Sequence, residues 1–279
     1  MLIASVVPDI VCRRAGASTP FWLPLMPTAL LVAGAVVVAR SERFRKLAGF
    51  FLALGALRFG WFVLVPLIEG NSAFQSFDHS LSWGAQMFVG RLLLVLGAFV
   101  MAATLLGSGI GRRDLFLCMG DLRAPVQPEP ILWFRRPIPW TRFGTQLLII
   151  FGVALPLFLF FSVHPDFSRA SRLWILLPWC LATAALNAAN EEFQFRSVLL
   201  ARLRDVVPQK EALILTAAFF GLGHYFGQPS GFGGIILAGI AGWIWAKSMV
   251  ETRGFAWAFF IHMVQDIVIF CFLALVSDT

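Results

Sequence analysis

The chain has 279 residues, of which 59% are hydrophobic and 13% charged, and its mean hydropathy is +0.81. Soluble domains carry roughly a quarter charged residues, so this composition excludes a disordered chain, a disulfide-rich secreted module and an ordinary soluble enzyme. The net charge of +7 comes from basic residues in short loops between apolar runs, where anionic lipid headgroups are nearer than nucleic acid. We therefore expect an integral membrane protein whose partner is the lipid bilayer, with no nucleic-acid partner.

Eight apolar runs are long enough to cross a hydrocarbon core of about 30 Å, which takes about 20 helical residues. The sequence therefore predicts an all-α, polytopic membrane protein with about eight transmembrane helices. Loops with many Lys and Arg residues alternate with loops that have few. The positive-inside rule then makes the odd-numbered connections cytoplasmic. The runs lie at about 21–39, 47–68, 83–110, 143–163, 173–199, 211–227, 233–249 and 254–276.

The longest connection, 111–142, divides three leading spans from five trailing ones. It is rich in Pro and Arg and carries Trp133, Phe134 and Trp140 near its end, a composition typical of a linker lying on the membrane interface. We predict one domain over 1–142, made of three transmembrane helices and a basic cytoplasmic linker. The second domain, 143–279, is predicted to be the catalytic membrane domain.

Ionisable side chains inside a membrane are costly and usually mark a site or a partner. Arg58 and Arg91 stand alone in the leading spans, and snorkelling or pairing that orients a helix explains them as well as any function does. The others fall in the trailing spans. They are Glu191, Glu192, Arg196, His224, His262 and Asp266.

The two adjacent glutamates differ in their helical surroundings. In an α-helix Glu192 and Arg196 stand at i, i+4 with the acid first, the favoured order for an ion pair. Glu191 has no counter-ion in its own helix and shares a face with Asn187, Asn190 and Gln194. A desolvated carboxylate without a counter-ion is a good proton acceptor, so Glu191 is the candidate general base. A structural network between two helices is the alternative.

Two histidines and an aspartate complete the candidate site. His262 and Asp266 are at i, i+4 and reach the same point from one helix face, either as two metal ligands or as an acid that orients an imidazole. His224 is predicted at a similar depth. Water could be activated by Glu191 directly, or by zinc or another divalent metal with His224, His262 and Asp266 as ligands.

These residues resemble the CAAX protease and bacteriocin-processing (CPBP, or Abi) family of intramembrane endopeptidases, which includes the type II CAAX prenyl endopeptidase. Its EExxxR motif corresponds to Glu191, Glu192 and Arg196, its FxxxH motif to Phe220 and His224, and its HxxxN or HxxxD motif to His262 and Asp266. The resemblance covers about 173–270.

The resemblance implies a peptide-bond hydrolase with Glu191 as base, and with His224, His262 and Asp266 around the water or the metal. Glu192, Arg196 and Phe220 are then structural supports. The implied substrate is a peptide or protein at the membrane, and the implied location is the inner (cell) membrane of a bacterium. The prenyl endopeptidases of eukaryotes carry Asn at the position of Asp266, which leaves an oxyanion donor and a metal ligand as alternatives there.

Two other functions fit the same residues. A non-proteolytic scaffold, or a bacteriocin self-immunity protein, could bind a peptide in the same cavity. A proton-coupled transporter could use an unpaired Glu and two His as a relay, but paired broken helices in two matching halves are absent from the sequence.

Overall fold

The computed structural model describes residues 1–16, 20, 22–129 and 136–277. Most of them are helical, because long apolar runs satisfy their backbone polar groups internally in this way. The α-helices are α1 (Val7–Arg14), α2 (Leu25–Ala39), α3 (Leu47–Phe59), α4 (Val65–Glu69), α5 (Ser72–His79), α6 (Trp83–Ala103), α7 (Trp140–Val163), α8 (Leu173–Glu192), α9 (Leu199–Leu203), α10 (Gln209–Gly223), α11 (Gly231–Thr252) and α12 (Ala256–Val276).

Short elements of other kinds interrupt this pattern. Two π-helical segments, Gly60–Leu64 and Phe193–Val198, continue α3 and α8, and 3-10 turns occupy Phe167–Arg172 and His224–Phe226. The antiparallel strands β1 (Pro125–Val126) and β2 (Ile138–Pro139) pair within the long connection.

Six stretches of the described chain are long and apolar enough to span a membrane, and α2 is a shorter apolar helix of 15 residues. The all-α, polytopic membrane fold is therefore confirmed. The run predicted at 211–227 is also shorter than expected, because α10 ends at Gly223 and a 3-10 turn follows it. The six stretches are Leu47–Glu69, Trp83–Ala103, Trp140–Val163, Phe167–Leu203, Gly231–Thr252 and Ala256–Val276.

The chain forms two compact units. The first unit contains 1–75, 93–115 and 193–246, and the second unit contains 76–92, 116–192 and 247–279. The sequence predicted a different division, after residue 142, with the candidate catalytic residues in 143–279. That division stays a prediction.

In the first unit, α2 packs on α3, and α10 approaches α11 closely at a pair of glycines. A Cβ atom added to Gly221 would lie 2.5 Å from the carbonyl oxygen of Ile235 and 3.0 Å from Cα of Gly239. Small residues allow this backbone approach, which is how helices associate in lipid.

Gly221 and Gly223 lie on the same helix and provide a matched pair for testing this contact. We expect Gly221→Ala to lower stability by about 1–3 kcal/mol, because the new methyl group meets backbone atoms that cannot turn aside. Gly223→Ala should be neutral or stabilise by up to about 1 kcal/mol, because a Cβ there meets no described atom within 4 Å. Thermal unfolding of the two purified variants measures the difference. Equal melting temperatures would show that the contact does not constrain α10.

In the second unit, α12 packs against both α7 and α8. The interface between α8 and α12 contains a buried apolar cluster, and Trp83 and Met87 of α6 pack against it. The cluster places the polar residues of α8 and α12, further along the same helices, opposite one another. Its buried members are Leu176, Cys180, Ala184, Phe270 and Ala274.

The first part of the long connection is fixed to the corner between α11 and α12, in the same unit. The Asp121 amide donates to the carbonyl of Thr252 (2.8 Å), and the Phe255 amide donates to the carbonyl of Cys118 (2.9 Å). The Trp257 indole donates to the carbonyl of Leu122 (3.1 Å). These bonds connect the linker to the beginning of α12. The predicted interface residues Trp133 and Phe134 lie outside the described residues.

Candidate active site

Helix α8 ends in the run Asn187–Glu192, which presents polar side chains to α12. Both glutamates are buried, and Glu192 is fully inaccessible. The α8–α12 packing places His262 and Asp266, also buried, beside them. Four of the predicted site residues therefore meet within the second unit.

His262 is at the centre of this group. Its Nδ1 atom lies 2.8 Å from Oε1 of Glu192, a hydrogen-bonding distance. Its Nε2 atom lies 3.6 Å from Oε2 of Glu191 and 3.6 Å from Oδ2 of Asp266. The imidazole thus has one carboxylate bound on one edge and two more within reach of the other. Since 3.6 Å is too long for a direct hydrogen bond, a water or a substrate oxygen could bridge these atoms.

Asp266 is oriented by a residue that precedes the family motif. The amide nitrogen Nδ2 of Asn187 donates to Oδ2 of Asp266 at 2.9 Å. Asn187 was predicted only to share a face with Glu191, and its bond to Asp266 follows from the pairing of α8 with α12. The sequence alone could not supply that pairing.

Glu191 differs from Glu192 in its hydrogen bonding. Glu192 has its Oε1 atom 2.8 Å from Nδ1 of His262, whereas Oε2 of Glu191 is buried and no described residue forms a hydrogen bond with it. Nε2 of His262 lies 3.6 Å from this oxygen. This is the environment expected of a carboxylate that takes a proton from a bound water.

The residues after Glu192 do not continue as an α-helix. Phe193–Val198 is π-helical, so the i, i+4 geometry assumed for Glu192 and Arg196 does not hold in its ideal form. Such segments occur frequently at functional sites. The Glu192–Arg196 ion pair stays a prediction, whereas the contact of Glu192 with His262 was not anticipated.

In the first unit, Phe220 joins the other two motif residues. The Arg196 guanidinium lies over its ring, with Cζ 3.7 Å from the ring centroid, and the ring of His224 lies 4.4 Å away between centroids. Nδ1 of His224 is 3.1 Å from the carbonyl oxygen of Phe220. Trp245 contacts both Arg196 and Phe220. The supporting position predicted for Phe220 agrees with these contacts, while its role stays a prediction.

Gly242 has no side chain, and this leaves room for the contact between Arg196 and Phe220. A Cβ atom at Gly242 would lie 2.6 Å from a terminal nitrogen of Arg196 and 3.0 Å from the Phe220 ring. Arg196 is buried in an aromatic environment, where a guanidinium gains about 2 kcal/mol or more from a ring face when desolvated.

The predicted metal ligands do not form a metal site that can be recognised in the described part of the chain. Within residues 1–16, 20, 22–129 and 136–277, no group of three or more His, Cys, Asp or Glu side chains could hold a metal ion. Of the three predicted ligands, His262 and Asp266 are neighbours in the second unit, and His224 belongs to the first unit.

Comparison with known protein families gives a match over the segment that contains these residues. A family model described as type II CAAX prenyl endopeptidase Rce1-like matches residues 172–268. This stretch contains all three motifs, and the match confirms their resemblance to CAAX proteases. No curated protein and no solved structure matches the chain.

Residues 172–268 are therefore similar to the Rce1-like family of type II CAAX prenyl endopeptidases. The helices that carry them make the protein an integral membrane protein.

Proposed function

We propose that this protein is an intramembrane endopeptidase that hydrolyses a peptide bond of a membrane-associated substrate. The observation that carries the proposal is the arrangement of Glu191, Glu192 and Asp266 around the imidazole of His262, inside the segment matched by the family model. A bacterial inner (cell) membrane is the proposed location.

In the proposed reaction, Glu191 is the general base. A water held near its unbonded Oε2 loses a proton to the carboxylate and attacks the carbonyl carbon of the peptide bond. The proton then passes from Glu191 to the leaving amine, which separates as the carbon–nitrogen bond breaks. General acid–base catalysis of this kind contributes about 10²–10⁴-fold in rate.

The imidazole of His262, in its protonated form, stabilises the charge that develops on the carbonyl oxygen, and the Asp266 carboxylate, 3.6 Å from Nε2 of His262, favours that protonated form. The hydrogen bond that Nδ1 of His262 donates to Glu192 fixes the orientation of the imidazole and directs Nε2 to the space beside Glu191 and Asp266. Preorganised donors are effective here because the water-excluded site strengthens electrostatic interactions. Asn187 orients Asp266, so Asn187 and Glu192 are positioning residues.

His224 is proposed to act on the same water, as the resemblance implies. A metal-dependent version would use His224, His262 and Asp266 as ligands of zinc or another divalent ion, which would supply a polarised water. Elemental analysis of the purified protein distinguishes the two versions.

A scaffold or bacteriocin self-immunity protein remains the second candidate, since a peptide could occupy the same space without being cleaved. The three buried carboxylates around the imidazole of His262 favour the enzyme, because ionisable groups are costly inside a membrane and peptide binding alone does not require them.

The proposal is tested by terminal labelling of membrane proteomes from cells that produce the wild type or Glu191→Ala. We expect new protein termini that are present with the wild type and lost with the variant. Glu211→Ala, which removes an exposed carboxylate at the start of α10, should leave them unchanged. Identical termini with the wild type and Glu191→Ala, at equal protein levels, would favour the scaffold.

A further inference from the structure

Asn187 carries a second polar atom besides the one that is bonded to Asp266. The residue is only 6% exposed, and its Nδ2 atom donates to Oδ2 of Asp266 at 2.9 Å. Its Oδ1 atom is also buried, and no described residue forms a hydrogen bond with it. The side-chain amide of Asn187 therefore has one bonded end and one unbonded end.

The bond to Asp266 determines which end of the amide is unbonded. The oxygen and nitrogen of an asparagine are distinguished by their hydrogen bonds. A carboxylate accepts hydrogen bonds and does not donate them, so the end that faces Asp266 is the NH2 group. The unbonded end is then an acceptor. A buried acceptor without a donor costs about 1–3 kcal/mol, and a ligand that brings a donor removes this cost.

This acceptor lies beside the proposed reacting groups. Asn187 is one helical turn before Glu191, on the same face of α8. Glu191 and Asp266 each have a carboxylate oxygen 3.6 Å from Nε2 of His262. Oδ1 of Asn187 belongs to the amide group that is bonded to Asp266, so it is adjacent to the same three side chains.

Burial alone does not make an unbonded polar atom part of a site. Thr183 is one turn further from Glu191 on the same face of α8, and its Oγ1 atom is also buried without a hydrogen bond to any described residue. The side chains that line a small gap with Thr183 include Met87 and Phe270, which are apolar. Asn187 differs because its amide is bonded to a residue of the proposed site.

The substrate brings one donor and one acceptor to this site. A peptide bond has a carbonyl oxygen that accepts hydrogen bonds and an N–H that donates one. In the proposed reaction His262 binds the carbonyl oxygen, and the nitrogen receives the proton that Glu191 took from the water. The N–H has no partner in that reaction, and Oδ1 of Asn187 is an acceptor of the kind it requires.

The direction of the N–H also decides where the lone pair of the nitrogen points. In the tetrahedral intermediate the nitrogen is bonded to the reacting carbon, to the next Cα and to its hydrogen, and it has one lone pair. A hydrogen bond from the N–H to Asn187 leaves the lone pair free to take the proton from Glu191. The carbon–nitrogen bond then breaks, and the amine leaves with its original hydrogen and the one from Glu191.

We infer that Oδ1 of Asn187 accepts a hydrogen bond from the N–H of the peptide bond that is cleaved. Asn187 is then a specificity-determining residue, in addition to orienting Asp266. It favours bonds that have an N–H over ester bonds and over peptide bonds that precede proline. Because the peptide bond is the proposed substrate, this role rests on the proposed peptidase function.

The test compares an amide with an ester at the same position of one substrate. A synthetic peptide that spans a cleavage site found by terminal labelling is prepared with either the ordinary peptide bond or an ester oxygen in place of the scissile N–H. The whole chain is purified in lipid nanodiscs, and kcat/KM for each form is measured by liquid chromatography. Hydrolysis in the presence of Glu191→Gln is subtracted, because esters also hydrolyse spontaneously.

We expect Asn187→Leu to lower kcat/KM for the amide at least about tenfold more than for the ester, because only the amide loses a hydrogen bond to the side chain. The lost bond to Asp266 affects both forms alike and cancels in their ratio. Asn187→Asp keeps an acceptor oxygen at the same position and should keep the wild-type ratio. The control Thr183→Val removes the other unbonded oxygen and should leave both rates unchanged.

An equal loss of amide and ester cleavage in Asn187→Leu would overturn the inference, because Asn187 would then act only through Asp266. Loss of the amide preference in Asn187→Asp, as large as in Asn187→Leu, would also overturn it. If Asn187→Leu does not fold, as judged by thermal unfolding, Asn187→Ala gives the same comparison. Failure of the peptidase proposal appears separately, as amide cleavage by the wild type that is no faster than that by Glu191→Gln.

Discussion

Replacing Glu191 by glutamine is expected to reduce cleavage at least about 100-fold while leaving the fold intact. The amide keeps the size of the side chain but cannot accept the proton of the attacking water, and general-base catalysis is worth about 10²–10⁴-fold. Stability should stay close to that of the wild type, because no described residue is hydrogen-bonded to Oε2 of Glu191. The measurement is cleavage of a substrate identified by terminal labelling, together with thermal unfolding.

Glu192→Gln is the matched control at the neighbouring position. Its amide oxygen can still accept a hydrogen bond from Nδ1 of His262, so it should keep more activity than Glu191→Gln does. If Glu192→Gln is well folded but inactive, and Glu191→Gln is active, the roles assigned to the two glutamates are reversed.

Removing the imidazole of His262 is expected to affect both stability and activity. His262→Ala takes away the group that lies between Glu191, Glu192 and Asp266, and loss of one partner of a buried charged pair costs about 3–5 kcal/mol. Adding Glu192→Gln to this variant should restore part of the stability, since it removes one buried charge, but should not restore cleavage.

Thermal unfolding and cleavage assays of the single and double variants measure these effects. The control His79→Ala changes an exposed histidine at the end of α5 and should behave as the wild type. Cleavage by His262→Ala at the wild-type rate would contradict the proposed site. Cleavage by His224→Ala/His262→Ala at the wild-type rate would show that the reaction needs neither histidine, and it would contradict both the metal-dependent and the metal-free version of the site.

The fold class could be predicted from the sequence because a span needs about 20 apolar residues and hydropathy records them directly. The helix ends were less predictable. Apolar composition continues past Gly223, while the backbone changes there to a 3-10 turn. Composition reports which residues tolerate lipid but not which hydrogen bonds the backbone makes.

The candidate site was predictable where two residues share a helix face, as His262 and Asp266 do. It was not predictable where the contact joins two helices. The hydrogen bonds from His262 to Glu192 and from Asn187 to Asp266 depend on how α8 packs on α12. Arg91 could be singled out from the sequence because a charged side chain inside a membrane is costly. Its contact with the ring of Phe270 could be identified only from the packing of α6.

The attachment of the long connection to α12 affects how the chain can be modified. A Pro- and Arg-rich segment between two groups of spans suggests a place to insert a fluorescent domain or to divide the gene into two co-expressed parts. Residues 118–122 are unsuitable, because their bonds to Thr252, Phe255 and Trp257 would be broken. The exposed turn at Gly107 and Gly109, where an added Cβ meets no described atom within 4 Å, is the better insertion point.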